Sequence, residues 1–332
     1  MYKNLNIHKN SFKLGFLFTE KHNNNNKQTM TKCNFIVTII VASLTLNNLY
    51  AQGCSDAGFC TINSFKPSSL DTTKALNNQI KVGVFFGKAD NSISIFGNYI
   101  EYNRQLTTKL GVDVKLTTLA QSGNGISVFG LSDIFVNTNF KASEKLKFTL
   151  GAKIPLSNAS KMKNNSPLPM DYQASLGTLD LVFGVGYTIQ KIQLVAAIQQ
   201  PLTQNKNQFF ASIYPINSTL RAFSSTNKFQ RNADVLLRIS YPLQVGSKIR
   251  ITPSVLPIYH LKNDQYTDEL NVKREINGSK GLTLNGNVYM DYEINTKNTI
   301  QLNVGMPFVV RNTRPDGLTR SFVANVEYKI KF

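Results

Sequence analysis

The C-terminal stretch from Leu318 to Phe332 alternates between apolar and polar side chains along its whole length. Even-numbered positions such as Phe322, Val326 and Ile330 are mostly apolar, and odd-numbered positions such as Glu327 are mostly polar. A period of two is that of a β-strand with one face in an apolar medium and one in a polar medium. Because about ten residues tilted by about 45° cross a bilayer core, this stretch is long enough to be a transmembrane strand.

The chain ends on an aromatic residue that continues the apolar face, after Tyr328 and Ile330 and at Phe332. This ending resembles the closing strand of bacterial outer-membrane β-barrels, which the assembly machinery reads as a signal. We therefore expect Tyr328, Ile330 and Phe332 to form such an assembly signal, with that machinery as a partner.

Eleven further β-like runs precede this strand and are separated by turn-rich gaps. The predicted runs lie near residues 79–88, 92–104, 107–120, 130–141, 145–156, 177–189, 191–201, 231–242, 247–260, 280–295, 298–310 and 318–332. Beyond residue 53 no apolar run reaches the roughly 18 residues of a membrane helix. If this part of the chain lies in lipid, it must therefore form a closed barrel.

The gaps between the runs are sorted by length. Short connections follow the even-numbered runs, at residues 105–106, 142–144, 190, 243–246 and 296–297. Longer ones follow most odd-numbered runs, at residues 121–129, 157–176, 202–230 and 261–279. Since antiparallel strands send every second connection to the same end, this sorting predicts short periplasmic turns and longer extracellular loops.

A soluble β-sandwich is the alternative that the period of two leaves open, because its strands also have one apolar and one polar face. It would bury Val112, Phe148 and Val326 in a shared dry core. The sorting of the loops favours the other architecture. The fold class predicted is all-β, an antiparallel transmembrane β-barrel of about twelve strands with oily side chains facing outward.

The chain is expected to have four segments. Residues 1–29 are polar and rich in Asn, which predicts a disordered or mis-assigned extension. Residues 30–53 have the basic start and short apolar core of a signal peptide, although an N-terminal membrane anchor or lipidation at Cys54 stays open. Residues 54–78 are a periplasmic lead-in or a plug folded into the lumen, and residues 79–332 form the barrel.

Residues that carry catalytic or metal chemistry are sparse. Cys54 and Cys60 suit a small disulfide loop in an oxidising periplasm, and with only Asp56 nearby we expect no metal site and no cofactor. His260 is the one histidine after the predicted signal peptide, and no serine lies close to it in sequence. We expect His260 to be a surface residue and the chain not to be an enzyme; a barrel lipid hydrolase is the less favoured alternative.

The net charge of +18 raises the question of nucleic-acid binding. Lys and Arg are spread over alternating positions and loops, with no basic helix and no aromatic platform, so no nucleic-acid partner is expected. A positive surface suits anionic lipopolysaccharide equally well. The expected location is the bacterial cell outer membrane, with its lipid, lipopolysaccharide and a small-molecule substrate as partners.

The polar faces of the runs supply the residues expected to line the lumen. These candidates are Lys109, Asp113, Lys115, Asp133, Lys147, Lys153, Asp180, Asp234, Arg238, Lys248, Arg250, Asp291, Glu293 and Glu327. Because both signs are present, such a lining either holds water in a channel or locks itself into ion pairs, and both interpretations stay open.

Aromatic residues outside the lumen set are predicted to have two roles. The long loop contains Phe209, Phe210, Tyr214 and Phe223, which either fold inward to constrict the lumen or pack on one another to order the loop. Tyrosines near strand ends are expected in the interfacial aromatic girdles; they are Tyr187, Tyr241, Tyr259, Tyr289 and Tyr328.

Three short motifs stand in the middle of the chain. Gly130-Leu131-Ser132-Asp133 opens a run, Gly151 to Pro155 ends the next, and Ser175-Leu176-Gly177-Thr178-Leu179-Asp180 opens a third. Over residues 130–200 this set resembles the outer-membrane family named for the MetA pathway of phenol degradation. The resemblance implies a β-barrel that passes small hydrophobic or aromatic compounds, loosely akin to FadL-like channels. Asp133 and Asp180 either cap turns, which is favoured, or contact substrate.

The function expected is that of an outer-membrane, porin-like channel or transporter for small molecules, hydrophobic or aromatic ones among them. The alternative is a closed structural or surface-binding barrel.

Overall fold

The computed structural model describes residues 62–67, 78–317 and 320–332. The predicted extension, the signal peptide and the Cys54–Cys60 pair lie outside these residues. The strands are β1 (Asn78–Ala89), β2 (Ser94–Gln105), β3 (Leu110–Gly123), β4 (Ile126–Lys141), β5 (Leu146–Pro155), β6 (Met162–Lys163), β7 (Ser166–Pro167), β8 (Asp180–Ile189), β9 (Ile192–Pro201), β10 (Asp234–Ser240), β11 (Leu243–Val245), β12 (Ile249–His260), β13 (Gln265–Thr267), β14 (Lys273–Glu275), β15 (Gly281–Glu293), β16 (Asn298–Val309) and β17 (Arg320–Lys331). Short 3-10 helices span Asn63–Phe65, Met170–Tyr172, Ala211–Ile213 and Thr219–Ala222.

Twelve of these strands form one closed antiparallel ring. Its order is β1-β2-β3-β4-β5-β8-β9-β10-β12-β15-β16-β17, and it closes because β1 also pairs with β17. The first and last strands pair from Gln79 opposite Lys331 to Ala89 opposite Arg320. Each predicted run overlaps one strand of the ring, so the predicted fold class is confirmed. A closed ring leaves no sheet edge without hydrogen-bond partners.

The outer face of the ring is apolar. Val326 is 46% exposed, and Val112 and Phe148 are half-buried rather than packed into a shared core, which excludes the sandwich. Exposed apolar side chains recur on every strand of the ring; examples are Val84, Phe96, Val114, Val136, Leu150, Phe183, Ile198, Leu237, Val255, Val288 and Leu302. Burial on the opposite face alternates with this exposure, which places the polar set inside.

The predicted tyrosine girdle needs one correction. Tyr187, Tyr241, Tyr259 and Tyr328 are exposed on the outside, but Tyr289 is only 2% exposed. Its position on β15 has the register of the inner face, so the side chain points into the ring.

Turns and loops are sorted between the two ends of the ring, with one difference from the prediction. Residues 121–129 do not form a long loop, because β3 and β4 continue to a two-residue turn at Asn124 and Gly125. Both turn residues have positive φ, 52° and 71°, as the twist of a tight hairpin requires. Gln190, at φ 52°, makes its predicted short turn without glycine.

Pairing between β10 and β12 is interrupted halfway along. Leu236 pairs with Ile258 and Ile239 pairs with Val255, but the two positions between them are unpaired. Pro257 lies in this gap and has no amide hydrogen to donate. The barrel wall is therefore weakest at this seam.

No helix among the described residues is long and apolar enough to cross a membrane.

Candidate functional site

Residues 62–67, here called the N-terminal segment, lie inside the ring. Ile62 and Phe65 are each 1% exposed, and a 3-10 turn is closed by hydrogen bonds from the amides of Phe65 and Lys66 to the carbonyl oxygen of Ile62. The segment touches two opposite inner walls. Its contacts make the interior of the ring the candidate functional site.

One inner wall is apolar. Phe65 and Ile62 form a single buried cluster with side chains from β4, β8, β9, β10 and β12; these are Phe135, Val182, Val195, Ala197, Leu236, Leu256 and Ile258. Gly184 on β8 lets the Phe65 ring approach, since a Cβ at that position would lie 2.3 Å from the ring. Burying a Phe or Ile side chain contributes about 1.5–3 kcal/mol, so this wall is the main support of the segment.

The opposite inner wall, built from β1, β2, β3 and β17, is charged. Lys81 donates to Glu101 at 2.9 Å and also to Asn63 of the N-terminal segment. Lys66 donates to Glu327 at 2.8 Å, and the same oxygen accepts from the Tyr99 hydroxyl at 2.5 Å.

The charged wall also carries Lys115 and Lys329, and the Lys329 ammonium lies 3.6 Å from Glu327. The Lys115 ammonium lies 4.2 Å from the centroid of the Tyr99 ring. The N-terminal segment is thus apolar towards one wall and cationic towards the other.

A third contact fixes the backbone of the segment. Arg238 donates from Nη1 to the carbonyl oxygen of Phe65 at 2.5 Å, and its guanidinium lies 5.8 Å from the centroid of the Tyr289 ring. Arg238 lies at the interrupted seam between β10 and β12, so the segment is tied to the wall at its weakest place.

Closer to the long loops, the inner face carries a layer of buried polar pairs. Lys153 lies 2.9 Å from Asp180, with both side chains fully buried, and Gln199 donates to the same carboxylate. Asp133 accepts from Ser132 at 3.0 Å and from Ser175 at 2.6 Å. Both aspartates are thus bonded to side chains inside the ring.

His260 belongs to this layer and is not a surface residue, which corrects the expectation from sequence. Its Nδ1 lies 2.7 Å from Asp234 and its Nε2 lies 2.8 Å from Asp264. Arg231 also bonds to Asp234, which links two loops to the ring. The sequence did not show this because the two carboxylates come from β10 and from the loop after β12.

Asp316 is another buried carboxylate of this layer, and two arginines neutralise it. Arg311 donates to Asp316 at 2.8 Å, and Arg231 lies 3.4 Å from it. Burial alone would raise the pKa of Asp316, but these two guanidinium groups hold that pKa below its usual range.

The long loops pack across the mouth of the ring as a loop cap. Tyr172, Phe209, Leu220 and Phe223 from the loops form one buried cluster with strand residues that include Ile95. The Tyr172 and Phe223 ring centroids lie 5.9 Å apart, and those of Phe209 and Tyr214 lie 5.5 Å apart. The loop aromatics therefore pack on one another and on inner-wall residues, as expected of a loop ordered by its own side chains. Constriction of the lumen stays a prediction.

A pocket of about 270 Å³ opens in the loop cap. Asp171, in its wall, is 8% exposed, while the neighbouring Asp90 accepts from Arg314 at 2.7 Å. Burial raises the pKa of Asp171 to about 8, and the nearby Asp90 carboxylate adds to this rise. Gly317, with φ 65°, lies against the Asp171 backbone, where a Cβ would be 2.6 Å from its Cα.

The other predicted lumen residues differ in burial. Buried positions are Asp113, Lys115, Asp133, Lys153, Asp180, Asp234, Arg238, Asp291 and Glu327; Lys147, Arg250 and Glu293 are half-buried; Lys109 and Lys248 are exposed at the turn end. Among the described residues no group of three or more His, Cys, Asp and Glu side chains has the arrangement of a metal site.

Neither the apolar wall nor the contacts of Phe65 and Lys66 with the ring were predicted from the sequence. The inner-face roles of Lys81, Tyr99 and Glu101 were also not predicted. One signal was present for the wall. The runs Val235-Leu236-Leu237 and Leu194 to Ile198 are apolar at consecutive positions, which indicates strands buried or lipid-covered on both faces.

Comparison with known proteins gives no family and no curated relative, because no family model and no curated protein matches the chain. The resemblance to the family of the MetA pathway of phenol degradation is therefore not confirmed. Solved structures give weak likenesses only.

Three of these solved structures illustrate the range. The NanC porin shares 8% identity at a TM-score of 0.43, over 77% of this chain and 100% of that one. The translocator domain of autotransporter NalP from Neisseria meningitidis shares 9% identity at a TM-score of 0.44, over 79% of this chain and 90% of that one. The CymD monoaromatic hydrocarbon channel shares 8% identity at a TM-score of 0.41, over 86% of this chain and 95% of that one. At these values the likenesses carry no argument about function, and the fold stands on its own strand pairing.

Proposed function

We propose that this chain is a bacterial outer-membrane channel for small molecules with an apolar body, closed at rest by residues 62–67 acting as a plug. The observation that carries the proposal is the apolar inner wall on which Ile62 and Phe65 rest. A structural barrel has no need of an apolar interior surface covered by a separate segment. A molecule with an aromatic or aliphatic body fits the surface that Phe65 covers, and competes with it.

The contacts of the plug suit a segment that can be displaced. Besides the apolar cluster, it is held by Lys66 with Glu327, by Lys81 with Asn63, and by Arg238 with the Phe65 carbonyl. These are side-chain contacts, and no strand pairing joins the segment to the ring among the described residues. Releasing it leaves the ring itself intact.

The seam between β10 and β12 supplies the route that we propose for an apolar molecule. Leu236 and Ile258 of the apolar wall flank the unpaired positions, and Leu237 and Pro257 lie on the outer side of the same gap. An apolar molecule displacing Phe65 therefore lies next to the place where fewest hydrogen bonds separate the lumen from lipid.

We also propose the partners expected from the sequence, namely outer-membrane lipid, lipopolysaccharide and the assembly machinery. Tyr328, Ile330 and Phe332 lie exposed on the outer face of β17 and at its end, where an assembly factor can reach them. Catalysis is not part of the proposal, because both nitrogens of His260 are engaged by carboxylates.

The test uses the chain without residues 1–53, the predicted extension and signal peptide, which is here called the mature chain. The mature chain and its Phe65→Ala variant are purified and reconstituted in planar bilayers and liposomes. We expect small, infrequent conductance steps from the unmodified chain, and longer openings and faster uptake of an aromatic solute from Phe65→Ala. Ile216→Ala, in an exposed loop position, is the matched control and is expected to change neither.

The loop cap and the filled interior favour one second candidate, a closed barrel that acts through its loops. In that case both the unmodified chain and Phe65→Ala, correctly inserted, leave the bilayer silent and take up no solute. That result rejects the channel.

A further inference from the structure

The short turns at one end of the ring share a residue that the proposed function does not use. Each of the five turns between ring strands at that end finishes on a lysine directly before the next strand; they are Lys109, Lys145, Lys191, Lys248 and Lys297. All five are exposed. We call this set the lysine ring.

Four of the five positions are equivalent in backbone geometry as well as in sequence, and the fifth, Lys191, directly precedes Ile192 at the start of β9. The carbonyl oxygen of Lys109 accepts from the amide of Lys141 at 2.7 Å, and that of Lys145 accepts from Thr188 at 2.9 Å. The carbonyl oxygens of Lys248 and Lys297 make the same kind of bond, each at 2.8 Å, to the strand beyond. These four lysines therefore continue the sheet and keep the register of their strands.

That register is the one of the inner face. Gly111 and Asp113 follow Lys109 at alternate positions and are buried, whereas Leu110 and Val114 belong to the outer set. The same alternation leads from Lys191 to the buried Gln193. The lysine ring thus lies on the inner rim of the barrel opening at the end with the short turns, here called the turn-side mouth. It does not lie among the lipid-facing residues.

Charge at this rim is not balanced. Glu144 pairs with Lys141, Glu293 lies 3.4 Å from Arg250, and Asp291 bonds to Lys329 at 3.1 Å. No ion pair of the described residues includes a member of the lysine ring. Five lysine ammonium groups therefore surround the turn-side mouth, and the three carboxylates just named already pair with other cations.

We infer that the turn-side mouth is a vestibule that concentrates anions, and that the molecules passed are amphiphilic anions: an apolar body with a carboxylate or phosphate group. This inference rests on the proposed function, since the apolar wall takes the body and the lysine ring takes the charge. Five charges at about 10 Å, screened as in water, enrich a monovalent anion roughly threefold at 0.15 M salt and about tenfold at 10 mM.

Anionic lipid headgroups are the other chemistry that a lysine ring could serve. The inner-face register argues against them, because residues on that face are turned towards the lumen. Lipid contact is nevertheless one of the outcomes that the experiment separates.

The first experiment measures the reversal potential of the mature chain in a KCl gradient, in bilayers of neutral lipid, at low and at near-physiological salt. We expect preference for chloride that falls as salt rises. A variant with Lys→Gln at all five ring positions should lose most of it. Five exposed loop-side lysines changed to Gln, at Lys161, Lys206, Lys262, Lys273 and Lys280, form the control and should retain it.

Equal selectivity in the ring variant and the unmodified chain overturns the inference while leaving the channel intact. It is also overturned if the ring variant changes only when anionic phosphatidylglycerol is added to the bilayer, since the ring then serves lipid.

A second measurement keeps the inference testable if the bilayers are silent and the channel proposal fails. Calorimetric titration compares dodecanoate with dodecanol on the detergent-solubilised chain. We expect dodecanoate to bind at least about threefold more tightly, and the ring variant to bind the two alike. No preference for dodecanoate in the unmodified chain, or the same preference in both proteins, overturns the anion site on its own.

Discussion

At the scale of single residues, the interior is held by charges that come from distant parts of the chain. Lys66 and Glu327 meet at 2.8 Å with almost no exposed surface, and Tyr99 donates to the same carboxylate. Removing one partner of a buried pair leaves the other uncompensated, which typically costs about 3–5 kcal/mol. The exposed pair of Lys141 and Glu144 contributes far less.

Glu327→Gln should therefore loosen the plug without opening the ring. Amide hydrogen exchange at residues 62–67 is expected to speed up at least about tenfold, because Lys66 loses its counter-charge. Exchange in β1 and β17 should change little. Glu144→Gln is the control, and unchanged protection of the plug in Glu327→Gln would show that the ion pair does not hold it.

The buried Asp171 predicts how the stability of the chain depends on pH. Its pKa rises from 3.8 to about 8 on burial in the loop cap. The folded chain then binds more protons than the unfolded chain between these values, so the free energy of unfolding falls as pH rises through that window. Asp171→Asn should remove this slope and be the more stable protein at pH 8.

Urea titrations of the detergent-solubilised chain at several pH values measure this effect. Glu269→Gln, at an exposed loop position, should keep the slope of the unmodified chain. The same slope in Asp171→Asn would mean that other groups cause it.

At the scale of elements, the ring strands follow directly from the alternation of side chains. Twelve runs and their sorting into short turns and long loops were predictable because the bilayer imposes strand length and the antiparallel order imposes the sorting. The hairpin at Asn124 and Gly125 was missed although Asn-Gly between alternating runs is a strong turn signal.

The contents of the ring were much less predictable. The inner positions of Asp113 or Glu327 follow from the period, but their partners depend on register and on which strands face each other across the lumen. The place of Phe65 also depends on the apolar wall, which is assembled from five strands. Such long-range contacts leave no local pattern in the sequence.

The seam between β10 and β12 yields a prediction for an element. A disulfide between Leu237→Cys and Pro257→Cys joins the two outer positions of the gap. The disulfide should slow uptake of an apolar aromatic solute severalfold, and its reduction should restore the uptake. The matched control joins Val82→Cys to Ile100→Cys, which are paired on β1 and β2, and should change nothing. Equal uptake with the seam closed would rule out this route.

At the scale of the whole molecule, the ring has its apolar face outside and most of its polar side chains inside, which is the reverse of a soluble protein. Leu302 lies on the exposed outer face of β16, and the adjacent Asn303 lies on its inner face. The plug, the apolar wall and the lysine ring have a function only if that inner face encloses a passage and the outer face meets lipid. All other predictions depend on this division.

Quenching by brominated lipid tests the division most directly. A fluorophore is attached to Leu302→Cys or to Asn303→Cys in a chain whose other cysteines are replaced, and each protein is reconstituted in brominated bilayers. Strong quenching is expected at position 302 and weak quenching at position 303. Equal quenching at the two neighbouring positions, or none at position 302, would contradict it.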